Sequence, residues 1–156
     1  MNVNKLYLGV LQDLTYLDAP LIAPRGMPVK EIVNAHLTLD PNSCVISIPE
    51  RKLNYHFMIA EWWWIASGMC NVNPLNKFCN EIAKFSDDGV SFFGAYGPPW
   101  RDQIPFCIEK LRADPDSRQA VLTIWRQKPP LTKDVPCTVG MQYLIRDDKL
   151  VTIVTM

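Results

Sequence analysis

The segment D-V-P-C-T-V-G-M-Q-Y-L-I-R-D, Asp134 to Asp147, sets a cysteine directly after a proline and at the mouth of an apolar run. Proline stiffens the backbone there, so the Cys137 sulfur can be held facing a cleft, where a thiolate is a nucleophile. Taken alone, a free cysteine is more often a small buried hydrophobe. Asp134 and Gln142 in the same segment read as structural. Glu61, in A-E-W-W-W-I-A-S-G, is an acid in an otherwise apolar stretch, where an unpaired carboxylate is costly. It is either a core carboxylate held by an ion pair or hydrogen bond, or an acid/base group. Tyr96 lies in G-A-Y-G, whose glycines allow close backbone approach, although a lone tyrosine is usually packing. Arg25, in A-P-R-G, carries a planar fork suited to phosphate oxygens, against the plainer reading of a solvated loop arginine.

The elements that must position these groups follow from periodicity and punctuation. Leu6, Leu8, Leu11 and Leu14 predict a helix over Asn4 to Leu14, followed by a proline-rich loop from Asp18 to Pro28. Val33 to Leu39 and Cys44 to Ile48 read as paired strands around the turn cluster D-P-N-S. Asn54 to Gly68 is apolar almost all round, which predicts a buried helix whose tryptophans Trp62, Trp63 and Trp64 fill the core, with Gly68 as its cap. Residues Asn71 to Gly97 read as mostly loop with a short helix around Leu75 to Phe85. A helix is expected over Arg101 to Leu111, stopped by Pro115. Strands are expected over Ala120 to Trp125, Thr138 to Ile145 and Leu150 to Met156, the last two joined through R-D-D-K. This order predicts an α+β layered fold, a mixed or antiparallel sheet packed by helices, in a single domain over 1–156.

Composition limits the partners. Sixteen basic and sixteen acidic residues cancel, and the basic ones are dispersed, which argues against nucleic acid and anionic membranes. Five cysteines with no C-x-x-C pair and two histidines give no zinc pattern, so no metal is expected and the thiols read as reduced. No apolar run approaches the ~20 residues of a spanning helix, and a soluble cytoplasmic protein is expected. The uncharged run LVTIVTM at the end is an unprotected strand, for which a missing partner is expected, either a continuation or a second chain.

The Cys137 segment resembles the active-site cysteine region of the thymidylate synthase and deoxycytidylate hydroxymethylase family. D-P-D-S-R at Asp114 to Arg118, a strand ending in Trp125, G-A-Y-G-x-x-W at Gly94 to Trp100, and the Glu61 segment resemble that family's further motifs in the same order. The resemblance implies a homodimeric enzyme that transfers one carbon from 5,10-methylenetetrahydrofolate to carbon 5 of a deoxypyrimidine monophosphate, converting dUMP to dTMP in the synthases. It implies that Cys137 adds to carbon 6, with Glu61 ordering water near oxygen 4 and Tyr96 relaying the carbon-5 proton. Arg25 would clamp the nucleotide phosphate, as would Arg118 from the neighbouring subunit. A positive charge near Cys137 would lower a thiol pKa that is ordinarily ~8.5. Trp64 matches a family tryptophan, and Ile82 and Phe85 fall where synthases carry two tryptophans near the cofactor.

Three departures bear on the product. Gln119 stands where synthases usually carry a second arginine, Thr138 where they have histidine, and Ile82 and Phe85 replace tryptophans. C-T followed by Q-Y-L-I-R-D looks closer to the phage hydroxymethylases, which admit water to the methylene adduct instead of reducing it. The family's R-S-x-D and H-x-Y motifs would lie beyond Met156, so a non-catalytic folding and dimerisation module completed by a second chain is the alternative expectation.

Overall fold

A computed structural model describes residues 2–17 and 20–156; Asp18 and Ala19, the start of the expected loop, lie outside the described residues. The chain forms two compact units, Met1–Leu53 and Asn54–Met156.

In the first unit the leucine spacing produces helix α1, Val3–Tyr16, opened by the Asn2 side chain, which accepts from the Asn4 N–H at 2.8 Å. The Asn4 side chain reaches Ser47 in both directions, donating to Oγ at 2.8 Å and accepting from its N–H at 2.9 Å. Part of the expected loop is ordered as a short hairpin, β1 (Leu21–Ile22) against β2 (Val29–Lys30). The strands expected over Val33 to Leu39 and Cys44 to Ile48 do not form. D-P-N-S instead makes a 3-10 turn, Pro41–Ser43, capped by Asp40, whose carboxylate accepts from the Asn42 N–H at 3.0 Å. Val33, Leu37 and Leu39 stay exposed, so their alternation has no half-buried surface to favour a strand.

The second unit opens with α2, Tyr55–Ala66, capped by Asn54, which accepts from the Phe57 N–H at 3.0 Å. It ends at Gly68, whose φ of 70° is the left-handed conformation that glycine adopts without penalty. The expected burial holds only for one face. Trp64 is buried, whereas Trp62 is 68% and Trp63 51% exposed, because α2 is covered within this unit on the side where α3 (Asn73–Asn76), α4 (Gly97–Ala113) and Phe92 lie against it. A 3-10 segment, Asn80–Phe85, follows α3. α4 starts earlier than expected, since Pro98 and Pro99 suit a first turn whose N–H groups need no intrahelical partner.

After α4, strands β3 (Val121–Thr123), β4 (Gly140–Arg146) and β5 (Lys149–Thr155) form an antiparallel sheet in that order. The R-D-D-K turn pairs Arg146 with Lys149, and Asp147 and Asp148 take φ values of 50° and 56°, the signature of a two-residue type I′ turn. Two small cores result. Trp64, Val72, Leu75, Phe92 and Ala95 form one, while Cys107, Ala120, Leu122 and Ile124 form the other, with Tyr96 and Trp100 packed on it. The architecture is α+β. Among the described residues, no helix is long and apolar enough to cross a membrane.

Candidate active site

Two sequence-distant segments, the Tyr96 loop and the Cys137 segment, are bound together in the second unit. Tyr96, at the N-terminal boundary of α4, accepts through its hydroxyl from the N–H of Thr138 at 3.2 Å, next to the cysteine. The Gly94 N–H donates to Asp134 Oδ2 at 2.7 Å. Glycine is required at 94 for a steric reason: a Cβ there would meet Asp134 O at 2.7 Å and Pro136 N at 3.0 Å. Behind the cysteine, the N–H groups of Ile124 and Trp125 both donate to Val139 O at 3.0 Å, latching the end of β3 onto the same segment. Pro136 and Thr138 are buried, while Cys137 between them is exposed with a free thiol.

Asp134, which sequence reading assigned a structural role, is the hinge of this arrangement. Burial pushes its carboxyl above the usual range, against the pull of the Gly94 N–H, and the nearby Asp87 charge pushes in the same direction as burial. Asp87 in turn accepts from the Thr132 hydroxyl and from the Lys133 N–H at 3.2 Å, and Asp134 donates its N–H to Thr132 Oγ1 at 3.1 Å.

Glu61 lies half-buried on α2, and burial raises its pKa above the usual glutamate value of 4.5. α2 and α4 meet closely, the residues after α2 pressing on Gly97 at the start of α4. A raised carboxyl pKa means that the folded state holds the proton more tightly than the unfolded one. Its contribution to stability is therefore present below pH 4.5 and is lost as pH rises through the elevated value. Glu61→Gln is expected to flatten this decline and to be at least as stable as the parent at neutral pH, read as urea midpoints across pH; an unchanged pH slope would show that Glu61 carries none of it.

The remaining expected site residues are distributed differently. Trp64 gives its ring to the core, edge-on to Phe92 at 5.8 Å, and its indole N–H to Asn71 O at 2.9 Å. Ile82 packs on the same core, whereas Phe85 is 47% exposed. Arg118 is exposed in the turn before β3, and its carbonyl accepts from the Gln142 side chain at 2.8 Å. It stands at the opposite end of the β3–β4 ladder from Cys137, on the order of 20 Å away at ~3.3 Å per residue. Arg25 belongs to the first unit, in the turn between β1 and β2, with φ 53°. Sequence reading passed over Arg126, whose guanidinium lies 4.2 Å above the Phe93 ring; no spacing pattern links the two.

A family model described as thymidylate synthase matches residues 13–156. The chain is similar to the deoxyuridylate hydroxymethyltransferase of Bacillus phage SP01, 32% identical over 170 residues, covering 94% of this chain and 43% of that protein. It is 34% identical over 118 residues to the protein of the same name from Pseudomonas phage M6, covering 70% of this chain and 34% of that one. A third such protein, from Delftia phage PhiW-14, is 33% identical over 136 residues, covering 76% and 37%. The chain thus spans less than half the length of these relatives.

Proposed function

The chain belongs to the thymidylate synthase family, and from that membership we propose that it carries the nucleophile-bearing part of an enzyme for one-carbon transfer to carbon 5 of dUMP, with hydroxymethyl as the group installed. The observation that supports this best is the joining of the Tyr96 hydroxyl to the Thr138 N–H, which puts an acid/base group beside an exposed cysteine. The names of the phage relatives and Thr138 after the cysteine favour hydroxymethylation over methylation.

The Cys137 thiolate adds to carbon 6 of the pyrimidine, and the electron pair moves to carbon 5 as an enolate. Bound 5,10-methylenetetrahydrofolate supplies a one-carbon unit at the oxidation level of formaldehyde. Tyr96 receives or relays the proton that leaves carbon 5 once the new bond is made. Glu61, whose pKa burial raises, can hold water near oxygen 4 as charge builds there. Loss of the carbon-5 proton would release tetrahydrofolate as the leaving group; water would then add to the exocyclic methylene carbon and give up a proton, and the electron pair returned to carbon 5 would expel the Cys137 sulfur. Of the three residues expected at the cofactor, Phe85 is exposed enough to meet a flat ligand, Ile82 packs on the core, and Trp64 is closed off as packing. Arg25 binds the nucleotide phosphate, and Arg118 does so across a homodimer, which its distance from the Cys137 of its own chain would require. The protein is read as cytoplasmic.

A second reading is favoured by the exposure of Trp62 and Trp63 on α2 and of Leu150, Ile153 and Val154 on β5. On it, the chain is a folding and dimerisation module that needs a second polypeptide. Incubation with dUMP and 5,10-methylenetetrahydrofolate separates the cases. The expected products are 5-hydroxymethyl-dUMP and tetrahydrofolate. Formation of dTMP and dihydrofolate would overturn hydroxymethylation, and turnover appearing only when a second polypeptide is added would establish the second reading.

A further inference from the structure

A cleft of about 460 Å³ opens beside the Cys137 segment, with Cys70, Asp87, Asp88, Phe93, Pro98 and Arg126 among its lining residues. We infer that Arg126 makes this cleft an oxyanion-binding subsite, taking a carboxylate or phosphate of a ligand that lies against Phe93. Two of its walls are tied to the nucleophile segment. Phe93 precedes Gly94, whose N–H is held by Asp134, and Arg126 follows Trp125, whose N–H is held by Val139 O. The cleft is thus joined to the segment that carries Cys137 through the Gly94–Asp134 and Trp125–Val139 hydrogen bonds of the same chain.

The charges in the cleft are unevenly committed. Asp88 accepts from the N–H groups of Val90 and Ser91 at 2.8 and 2.9 Å and from the Ser86 and Ser91 hydroxyls, and these bonds hold its pKa at about 2. Asp87 is occupied by Thr132 and Lys133, which hold its carboxyl below the usual range. Neither acid pairs with Arg126, although all three line the same cleft. The guanidinium carbon instead lies 4.2 Å from the centre of the Phe93 ring, a cation–π contact that uses none of its N–H donors. Pro98, the cleft's wall from the start of α4, has no N–H to offer, so the fork of Arg126 provides the hydrogen bonds there. An in-plane pair of N–H groups at the edge of an aromatic-lined cleft matches the two oxygens of a carboxylate or phosphate.

The inference rests on the proposed function for the identity of the ligand, since both reactants named there carry such groups: the nucleotide its phosphate, the folate its glutamate carboxylates. The test follows the Arg126 side-chain Nε–H signal by NMR in the full chain, titrated with dUMP against deoxyuridine and with tetrahydrofolate against 6-methyltetrahydropterin. The signal is expected to move with the charged member of one pair and not with its neutral partner. Arg126→Ala should weaken that charged ligand at least about tenfold, leave the neutral partner's affinity unchanged, and be partly rescued by Arg126→Lys. The pair that responds identifies the source of the oxyanion. A signal indifferent to all four ligands, or equal weakening of charged and neutral ligands by Arg126→Ala, overturns the inference. Covalent trapping on Cys137 that proceeds in Arg126→Ala with unchanged ligand dependence would overturn it while leaving the proposed function standing. An Arg126 response without any trapping would do the reverse.

Discussion

Gly97→Ala is expected to destabilise the protein by roughly 3 kcal/mol or more, read as the loss in unfolding free energy by urea or heat. Helix propensity alone points the other way, since alanine in place of glycine within a helix gains about 0.5–1 kcal/mol. Sterics decide the sign. A Cβ at 97 would lie 2.5 Å from Met69 O, 2.8 Å from Met69 N and 2.9 Å from the Gly68 carbonyl carbon, all backbone atoms that cannot swing aside. Gly9 in α1 is the internal control: a Cβ there meets nothing within 4 Å, so Gly9→Ala should show the propensity gain undisturbed. If both substitutions stabilise, the close contact between the start of α4 and the residues after α2 is wrong.

Tyr96→Phe is expected to slow release of the carbon-5 proton of dUMP in the presence of 5,10-methylenetetrahydrofolate by about 10²–10³-fold, the range typical of losing a positioned acid/base group. It also removes the acceptor for the Thr138 N–H, and Thr138 is only 4% exposed, so an amide is left unpaired at a cost of about 1–3 kcal/mol. Two readouts distinguish these consequences. Hydrogen exchange at the Thr138 amide reports the lost bond, and the rate of proton release from carbon 5 of dUMP at saturating ligand reports the chemistry. An unchanged rate with an exposed Thr138 amide would reduce Tyr96 to a structural clamp. An unchanged amide would remove the clamp itself.

The parts of the fold that sequence made legible are those in which local rules act alone. The leucine spacing of α1, the caps of α2 and the R-D-D-K hairpin are set by residues within a few positions of one another, and each is present. Where the outcome depends on what lies opposite, pattern was insufficient. Val33 to Leu39 alternates like a strand but has no sheet to join, and D-P-N-S prefers a capped 3-10 turn. The tryptophan run predicted burial on every side of α2, yet only the Trp64 side meets α3 and α4, and Trp62 and Trp63 remain exposed.

The candidate site divides along the same line. Cys137 and Tyr96 were visible through motif context, and the Tyr96–Thr138 and Gly94–Asp134 hydrogen bonds bring their segments together across about forty residues of chain. Asp134 was read as structural because a loop aspartate three residues before a cysteine carries no pattern of its own; its importance lies in the Gly94 N–H, which only the fold supplies. Arg126 was invisible for the same reason, its partner Phe93 being distant in sequence. Conversely, Trp64 fits a family position by spacing while its ring and N–H are consumed by the core.

The most direct test of Cys137 as the nucleophile is the intact mass of the chain after incubation with 5-fluoro-dUMP and 5,10-methylenetetrahydrofolate, run beside Cys137→Ser. Fluorine at carbon 5 cannot leave as a proton does, so the reaction halts with both ligands attached to the sulfur. The expected result is a mass gain equal to the two ligands in the parent chain and none in Cys137→Ser. A gain that survives in Cys137→Ser, or that maps to Cys44, Cys70 or Cys79, would contradict it.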